Sequence, residues 1–395
     1  VTAGSSFLKI EAIQTYILRS PLDKPFYSSQ ARFTDRNSLL VRICTDDGIV
    51  GWGEGGQYGP PEPVACCIND VLAPRLINTP ADTPNRTFEE LYAFSRDFGQ
   101  KGTYIEALSA IDIALWDIMG KSLGRPVHAL LGGAFRNQVK AYGTGCYYPD
   151  FFADTPKMLA ALESEAQQLK ESGLRAVKIK IGLLPIEIDG QRVDLVRQIF
   201  GPGFPLMIDA NHAYNATSAT RMGRRVQSNE ILWFEEPVTP EDHAGYQQVR
   251  RSLNIPIAGG ECEFTRYGFR DLIEDCVDIV QLDLCCAGGF TEWQKISALA
   301  SIFSKPILPH VWGSGIAVAA ALQALATAPP CPHTAHPVAL QNEPMIEFDR
   351  TPNPIRDDLL QQPFRLENGY LAVPTGPGLG VDIDEAVLQR LTVSH

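Results

Sequence analysis

Three acidic residues stand directly after short apolar runs: Asp209 in Met207-Ile208-Asp209-Ala210-Asn211, Glu235 in Trp233-Phe234-Glu235-Glu236-Pro237, and Glu261 in Ala258-Gly259-Gly260-Glu261. Each alone reads equally well as the N-cap of a following helix, Asp209 above all. Their spacing is about one strand–helix unit, so parallel neighbouring strands would bring all three to one rim. Three convergent carboxylates repel one another unless a cation lies between them. An oxygen-preferring divalent ion such as Mg²⁺ meets that need.

Upstream, Val177-Lys178-Ile179-Lys180-Ile181 sets two lysines at alternate positions of an apolar strand, so both face the same way. Taken alone the pair fits a solvated strand face, because lysine is rarely buried. Inside a barrel, mutual repulsion and desolvation would both lower a lysine pKa toward neutrality and fit it for general-base work. Downstream, Gln281-Leu282-Asp283 and Leu308-Pro309-His310 end two consecutive apolar segments, so Asp283 and His310 should be neighbours. A carboxylate beside an imidazole raises its pKa and fixes its tautomer, making His310 a second acid/base group across the cavity from the lysines.

These groups need a scaffold that presents strand ends side by side. From about Val139 the chain alternates short apolar strands with longer helical segments. The strand candidates are Val139–Tyr142, Ala176–Ile181, Leu206–Asp209, Leu232–Phe234, Ile257–Ala258, Ile279–Leu282, Ile307–Leu308 and Met345–Phe348. Eight such strands are the signature of a parallel barrel. The first third is mixed: strands over Lys9–Leu18 and Ser38–Cys44, a hairpin turn at Asp46-Asp47-Gly48, and a helix from Tyr104 to Gly120. Within that helix, Trp116 reads as packing and Asp117 as a surface or capping contact. Beyond about Asn353 a Pro- and Gly-rich segment is expected to return to the N-terminal part.

Composition bounds the rest. The 395 residues are 45% hydrophobic and 20% charged, as in an ordinary globular protein, and leave room for a barrel and a companion domain. A net charge of −12 argues against nucleic acid as the main partner, though an anionic substrate can still sit in a local cationic pocket. No apolar run suggests a membrane span, and Val1–Lys9 lacks the regions of a signal peptide. Nine scattered cysteines without a CxxC spacing suggest reduced thiols in a cytoplasmic enzyme.

Lys178-Ile179-Lys180, Asp209, Glu235-Glu236-Pro237, Gly259-Gly260-Glu261, Asp283 and His310 together resemble the enolase superfamily, mandelate racemase subgroup, over essentially the whole chain. The resemblance implies an α/β fold, a modified TIM barrel (β/α)₇β with an N-terminal α+β capping domain. It divides the chain into capping domain (1–135), barrel (136–352) and C-terminal return (353–395). It implies one Mg²⁺ per active site, with Mn²⁺ as an alternative, on Asp209, Glu235 and Glu261. Lys180 would be the base on one substrate face, with Lys178 stabilising the enediolate, and His310 oriented by Asp283 would serve the other face. Use of a Lys or His base with Mg²⁺ is the stock chemistry of such sites. Glu347, with Glu343 close by, would hydrogen-bond the substrate carboxylate; Asn211, Arg32 and Trp312 would contact substrate, with Phe33, Gln57 and Tyr58 in the capping loops. The resemblance leaves the role of His212 open. Asp209-Ala210-Asn211-His212-Ala213-Tyr214, Trp312 and Glu347-Phe348-Asp349-Arg350-Thr351 look closest to acid-sugar enzymes: cycloisomerases that open a lactone by β-elimination, then dehydratases, then racemases or epimerases. A vestigial binding protein on the same fold is the non-enzyme alternative. The implied partners are a small-molecule carboxylate and further copies of the chain, as a dimer or octamer.

Overall fold

The computed structural model describes residues 8–56, 59–333 and 343–393, so Gln57 and Tyr58 lie outside the described residues. The first part is an antiparallel sheet of β1 (Ile10–Tyr27), β2 (Arg32–Thr45) and β3 (Val50–Gly55). The Asp46-Asp47-Gly48 turn joins β2 to β3, with Gly48 at φ 89°. Both long strands outrun expectation. β1 runs on beyond Leu18 through Pro21 and Pro25, takes a register shift between Pro21 and Phe26, and continues to Tyr27. Phe26 and Tyr27 then pair with Pro149 and Tyr148, tying the arm to the rim of the second part.

A helix over Thr103–Ser122 lies almost directly on β3. Gly51, Gly53 and Gly55 permit this: a Cβ on them would stand 2.3, 1.9 and 2.3 Å from the carbonyl oxygens of Ala114, Ala110 and Glu106. Trp116 packs in the interior as expected, its Nε1 donating to Thr291 Oγ1 at 3.2 Å. Asp117 is not at the surface. It is buried and accepts from Trp52 N (2.9 Å), Leu379 N (2.8 Å) and Lys121 Nζ (2.7 Å), so one carboxylate fastens the sheet, the helix and the C-terminal segment. Three converging donors offset the burial of its charge.

The second part is a curled parallel sheet. β4 (Gln138–Gly145) carries the short β5 (Tyr148–Pro149) beyond its end; then follow β6 (Val177–Lys180), β7 (Leu206–Asp209), β8 (Ile231–Glu235), β9 (Ile257–Gly259), β10 (Ile279–Val280) and β11 (Met345–Asp349). The parallel order is β10-β9-β8-β7-β6-β4-β11, and β12 (Tyr370–Ala372) adds antiparallel to β4. The strand expected at Ile307–Leu308 is reduced to one bridge from Val280 to Ile307. Pro306 and Pro309 flank it and supply no N–H. Leu308 N and His310 N still donate to Val280 O and Leu282 O, so the segment continues the curl. No ladder joins it to β11 among the described residues; Val311 N donates instead to the Glu347 side chain at 3.3 Å.

Side-chain alternation fills the barrel in layers. One apolar cluster holds Tyr142, Ala176, Met207, Trp233, Ala258, Ile279, Leu308 and Met345, one residue from each of the wall segments. Two residues further along those segments stand Thr144, Lys178, Asp209, Glu235, Gln281, His310 and Glu347, all buried. Two further again come Lys180, Asn211, Asp283, Trp312 and Asp349. Thus an apolar plug floors the barrel and the next layers are polar. The chain of β9 breaks the count: Gly260 turns at φ 130°, and the rim carboxylate is Glu261.

Candidate active site

Asp209, Glu235 and Glu261 converge, each offering an oxygen within 4.8 Å of the others, and all three are buried. The far oxygen of Glu235 accepts from Gln281 Nε2 (2.7 Å) and Trp233 Nε1 (2.9 Å), and Asp209 Oδ1 accepts from Asn211 N (2.8 Å). Glu261 Oε2 has no hydrogen-bond partner among the described residues. Burial pushes the Glu235 carboxyl up to about 7 despite Lys178, and burial with the nearby Glu236 charge raises Glu261 well above its usual range. Asp209, though also buried, is held low by Lys180 and Lys178. A divalent, oxygen-preferring cation fits this donor set: it would satisfy the orphaned oxygen and offset the charge that burial disfavours.

Both lysines point into the same interior, as their alternation implies. Lys178 Nζ donates to Glu235 Oε1, stands 3.0 Å from Glu347 Oε1 and 3.4 Å from Asp209 Oδ2. Lys180 Nζ donates to Asp209 Oδ2. The expected fall in lysine pKa is not found. Burial pulls both ammonium groups down, but Glu235 and Glu347 around Lys178, and Asp209 beside Lys180, outweigh it and hold both above the usual lysine value.

His310 and Asp283 are neighbours, with Nδ1 and Oδ2 2.7 Å apart. The carboxylate thereby favours the proton on Nδ1 and turns Nε2 toward Glu261 Oε2 and Glu347 Oε2, at 3.7 and 3.8 Å. Burial lowers the imidazole, yet Glu261, Glu347 and Asp283 together push it up to about 10. Glu347, not Glu343, is the interior residue: Glu343 is half-buried, 3.7 Å from Lys140, whereas Glu347 accepts from Thr144 Oγ1 and is held down at about 2, against burial, by Lys178 and His310.

A cavity of about 730 Å³ opens over these groups, lined by Lys180, Asn211, Glu261, His310 and, from the first part of the chain, Arg32 and Phe33. Arg32 sits at its exposed edge, paired with Asp150 at 3.3 Å. Trp312 lines the wall, edge-on to Phe33 and beneath the Arg36 guanidinium. Asn211 Nδ2 lies 3.5 Å from both Glu236 Oε2 and Glu261 Oε1, and His212 Nδ1 is 3.3 Å from Glu236 Oε2. Sequence reasoning missed the supports Thr144, Trp233 and Gln281. A signal for two of them was available, since Thr144 and Gln281, like Lys178 and Asp209, stand two residues beyond the apolar plug. It missed Arg36 as well, a buried ion-pair partner of Asp349 (2.7 Å) that lines the same cavity. No helix of the described residues is long and apolar enough to cross a membrane.

The family described as Mandelate racemase / muconate lactonizing enzyme, N-terminal domain, matches residues 12–132, and Enolase C-terminal domain-like matches residues 161–387. D-galactarolactone cycloisomerase of Agrobacterium fabrum is 44% identical over 96% of this chain and 98% of its own. The crystal structure of the 3,6-anhydro-D-galactonate cycloisomerase from Zobellia galactanivorans superposes with a TM-score of 0.86 at 40% identity, covering 98% of this chain and 100% of the other. A racemase from Streptomyces coelicolor A3(2) with bound magnesium superposes at 0.85 with 27% identity, over 97% of this chain and 100% of its own.

Proposed function

Because the chain belongs to the mandelate racemase/muconate lactonizing enzyme family of the enolase superfamily, and is therefore an enzyme, we propose that it opens a ring in an acid sugar by proton abstraction and β-elimination. The substrate class is a sugar lactone or anhydro-sugar bearing a carboxylate, as in the two cycloisomerases similar to it. The observation that carries this reading is the meeting of two acid/base sets, Lys178 with Lys180 and His310 with Asp283, around one carboxylate cluster. Two proton-handling groups are what an elimination needs, one to remove the α-proton and one to serve the departing oxygen.

Asp209, Glu235 and Glu261 would hold Mg²⁺. Bound there, the ion supplies positive charge that stabilises an enediolate and offsets the carboxylate charge that now keeps both lysines and His310 protonated. Lys178, fully buried, holds its ammonium at a fixed point beside Glu347 and so favours negative charge developing on a substrate carboxylate oxygen. Lys180 or His310 Nε2 takes the α-proton, according to the configuration at that carbon. The C–H electron pair forms the new C=C bond, the β-C–O bond breaks toward the ring oxygen, and the resulting enol takes a proton at carbon to give the 2-keto acid. Glu347, fixed by Thr144 and Val311 N, orients the substrate carboxylate.

The test is a screen of sugar lactones, anhydro-sugar acids and open-chain acid sugars in D₂O. Ring-opened product carrying deuterium is expected from wild type, and loss of turnover with retained Mg²⁺ binding from Lys180→Ala and His310→Asn. Turnover confined to open-chain acids, or near-normal turnover in either variant, overturns the proposal.

A further inference from the structure

A second group of ligand-type side chains lies one step along the same strand ends. His212, Glu236 and Cys262 each offer a donor atom within 4.8 Å of the other two. Glu236 immediately follows Glu235, the last residue of β8, and Cys262 immediately follows Glu261 beyond the end of β9. The β8 and β9 ends, with the turn after β7, therefore present two donor sets. The first, Asp209, Glu235 and Glu261, is all oxygen; the second combines imidazole, carboxylate and thiol. Glu236 is buried, and among the described residues its ion-pair partner is His212, with no lysine or arginine paired to it. Asn211 Nδ2 stands 3.5 Å from the same Glu236 oxygen, and a divalent cation would add positive charge where this buried carboxylate meets only an imidazole, an amide and a thiol. His212 and Glu236 also both adopt left-handed backbone, at φ 53° and 42°, conformations that few non-glycine residues hold.

We propose that His212, Glu236 and Cys262 form a second, thiophilic divalent-cation site, of the Zn²⁺ class, beside the oxygen-ligand site. Ligand hardness separates the two: carboxylate sets suit Mg²⁺, whereas nitrogen and sulfur donors suit Zn²⁺. Tetrahedral zinc with bonds of about 2.0–2.3 Å draws its donors roughly 3.5 Å apart, so side-chain adjustments of about 1 Å complete the site. Three protein ligands leave the fourth position open. His212 and Cys262 both line the cavity, so that position faces the bound molecule or water. Binding displaces the Cys262 thiol proton to solvent, and the thiolate becomes the ligand.

Cobalt(II) serves as the spectroscopic probe, added to protein already saturated with Mg²⁺. One equivalent per chain is expected to give a thiolate-to-cobalt charge-transfer band in the near ultraviolet, bleached by Zn²⁺. The band should vanish in Cys262→Ser and persist in Cys286→Ser, which removes the other cysteine lining the cavity. No band in wild type, or an equal band in Cys262→Ser, overturns the inference. Turnover measured on the same samples reports on the oxygen-ligand site, so failure of the catalytic proposal leaves the cobalt result readable.

Discussion

Gly260→Ala tests how the third carboxylate reaches the rim. Gly260 holds φ 130°, and a Cβ there would stand 2.8 Å from Phe269 Cε1 and 3.3 Å from the Gln281 carbonyl. Phe269 is fully buried, so its ring has little room to retreat. The backbone conformation alone costs an alanine about 1–3 kcal/mol. The system can relieve this by turning the 259–261 backbone, which carries Glu261 with it. Loss of good geometry at one of three carboxylates then weakens Mg²⁺ binding roughly 10- to 100-fold, by analogy with the removal of ligand supports, or about 1.4–2.8 kcal/mol. Calorimetric Mg²⁺ titration measures that directly, and thermal melts of the metal-free protein report the strain. A dissociation constant within twofold of wild type would refute the assignment of Gly260 as the element that places Glu261. A lowered melting temperature with that result would show that Phe269 had given way instead.

Asp283→Asn removes the carboxylate that orients His310 and should lower kcat roughly 10²- to 10⁴-fold, with the Mg²⁺ dissociation constant changed less than twofold; steady-state kinetics with calorimetry check both. Chelation should abolish turnover and lower the melting temperature, and Mg²⁺ should restore both in a concentration-dependent way, since a ligand that binds only the folded state stabilises it. Asp112 supplies a pH test: burial pushes its carboxyl up to about 7, with Thr291 pulling the other way. Its folded form therefore keeps a proton that the unfolded chain loses near pH 4, so its contribution to stability declines as pH rises from about 4 to about 7 and is flat above. Asp112→Asn should gain on wild type by several degrees in melting temperature between pH 5 and pH 8, and a constant difference would contradict that burial effect.

The polar layer was legible because a barrel strand has a period of two. Apolar residues at Met207, Trp233, Leu308 and Met345 predict interior positions for Asp209, Glu235, His310 and Glu347 two residues on, and the structure places all of them there. Where a backbone departs from that period the sequence was less informative. β1 runs past Leu18 to Tyr27 with a register shift, and two prolines reduce the Ile307 strand to a bridge; Glu261, expected at the rim, reaches it through the Gly260 turn rather than by the two-residue period. The lysine charge state was misjudged for a different reason. Along one strand Lys178 and Lys180 are about 6.7 Å apart, whereas adjacent strands lie about 4.8 Å apart. The nearer neighbours are therefore those of the next strand, and register pairs Lys180 directly with Asp209 and Asp209 with Glu235. A reading confined to the strand sees two like charges and expects a depressed pKa. The sheet interleaves them with three carboxylates, which reverses the sign and makes the lysines' basicity depend on whatever cation shares those oxygens.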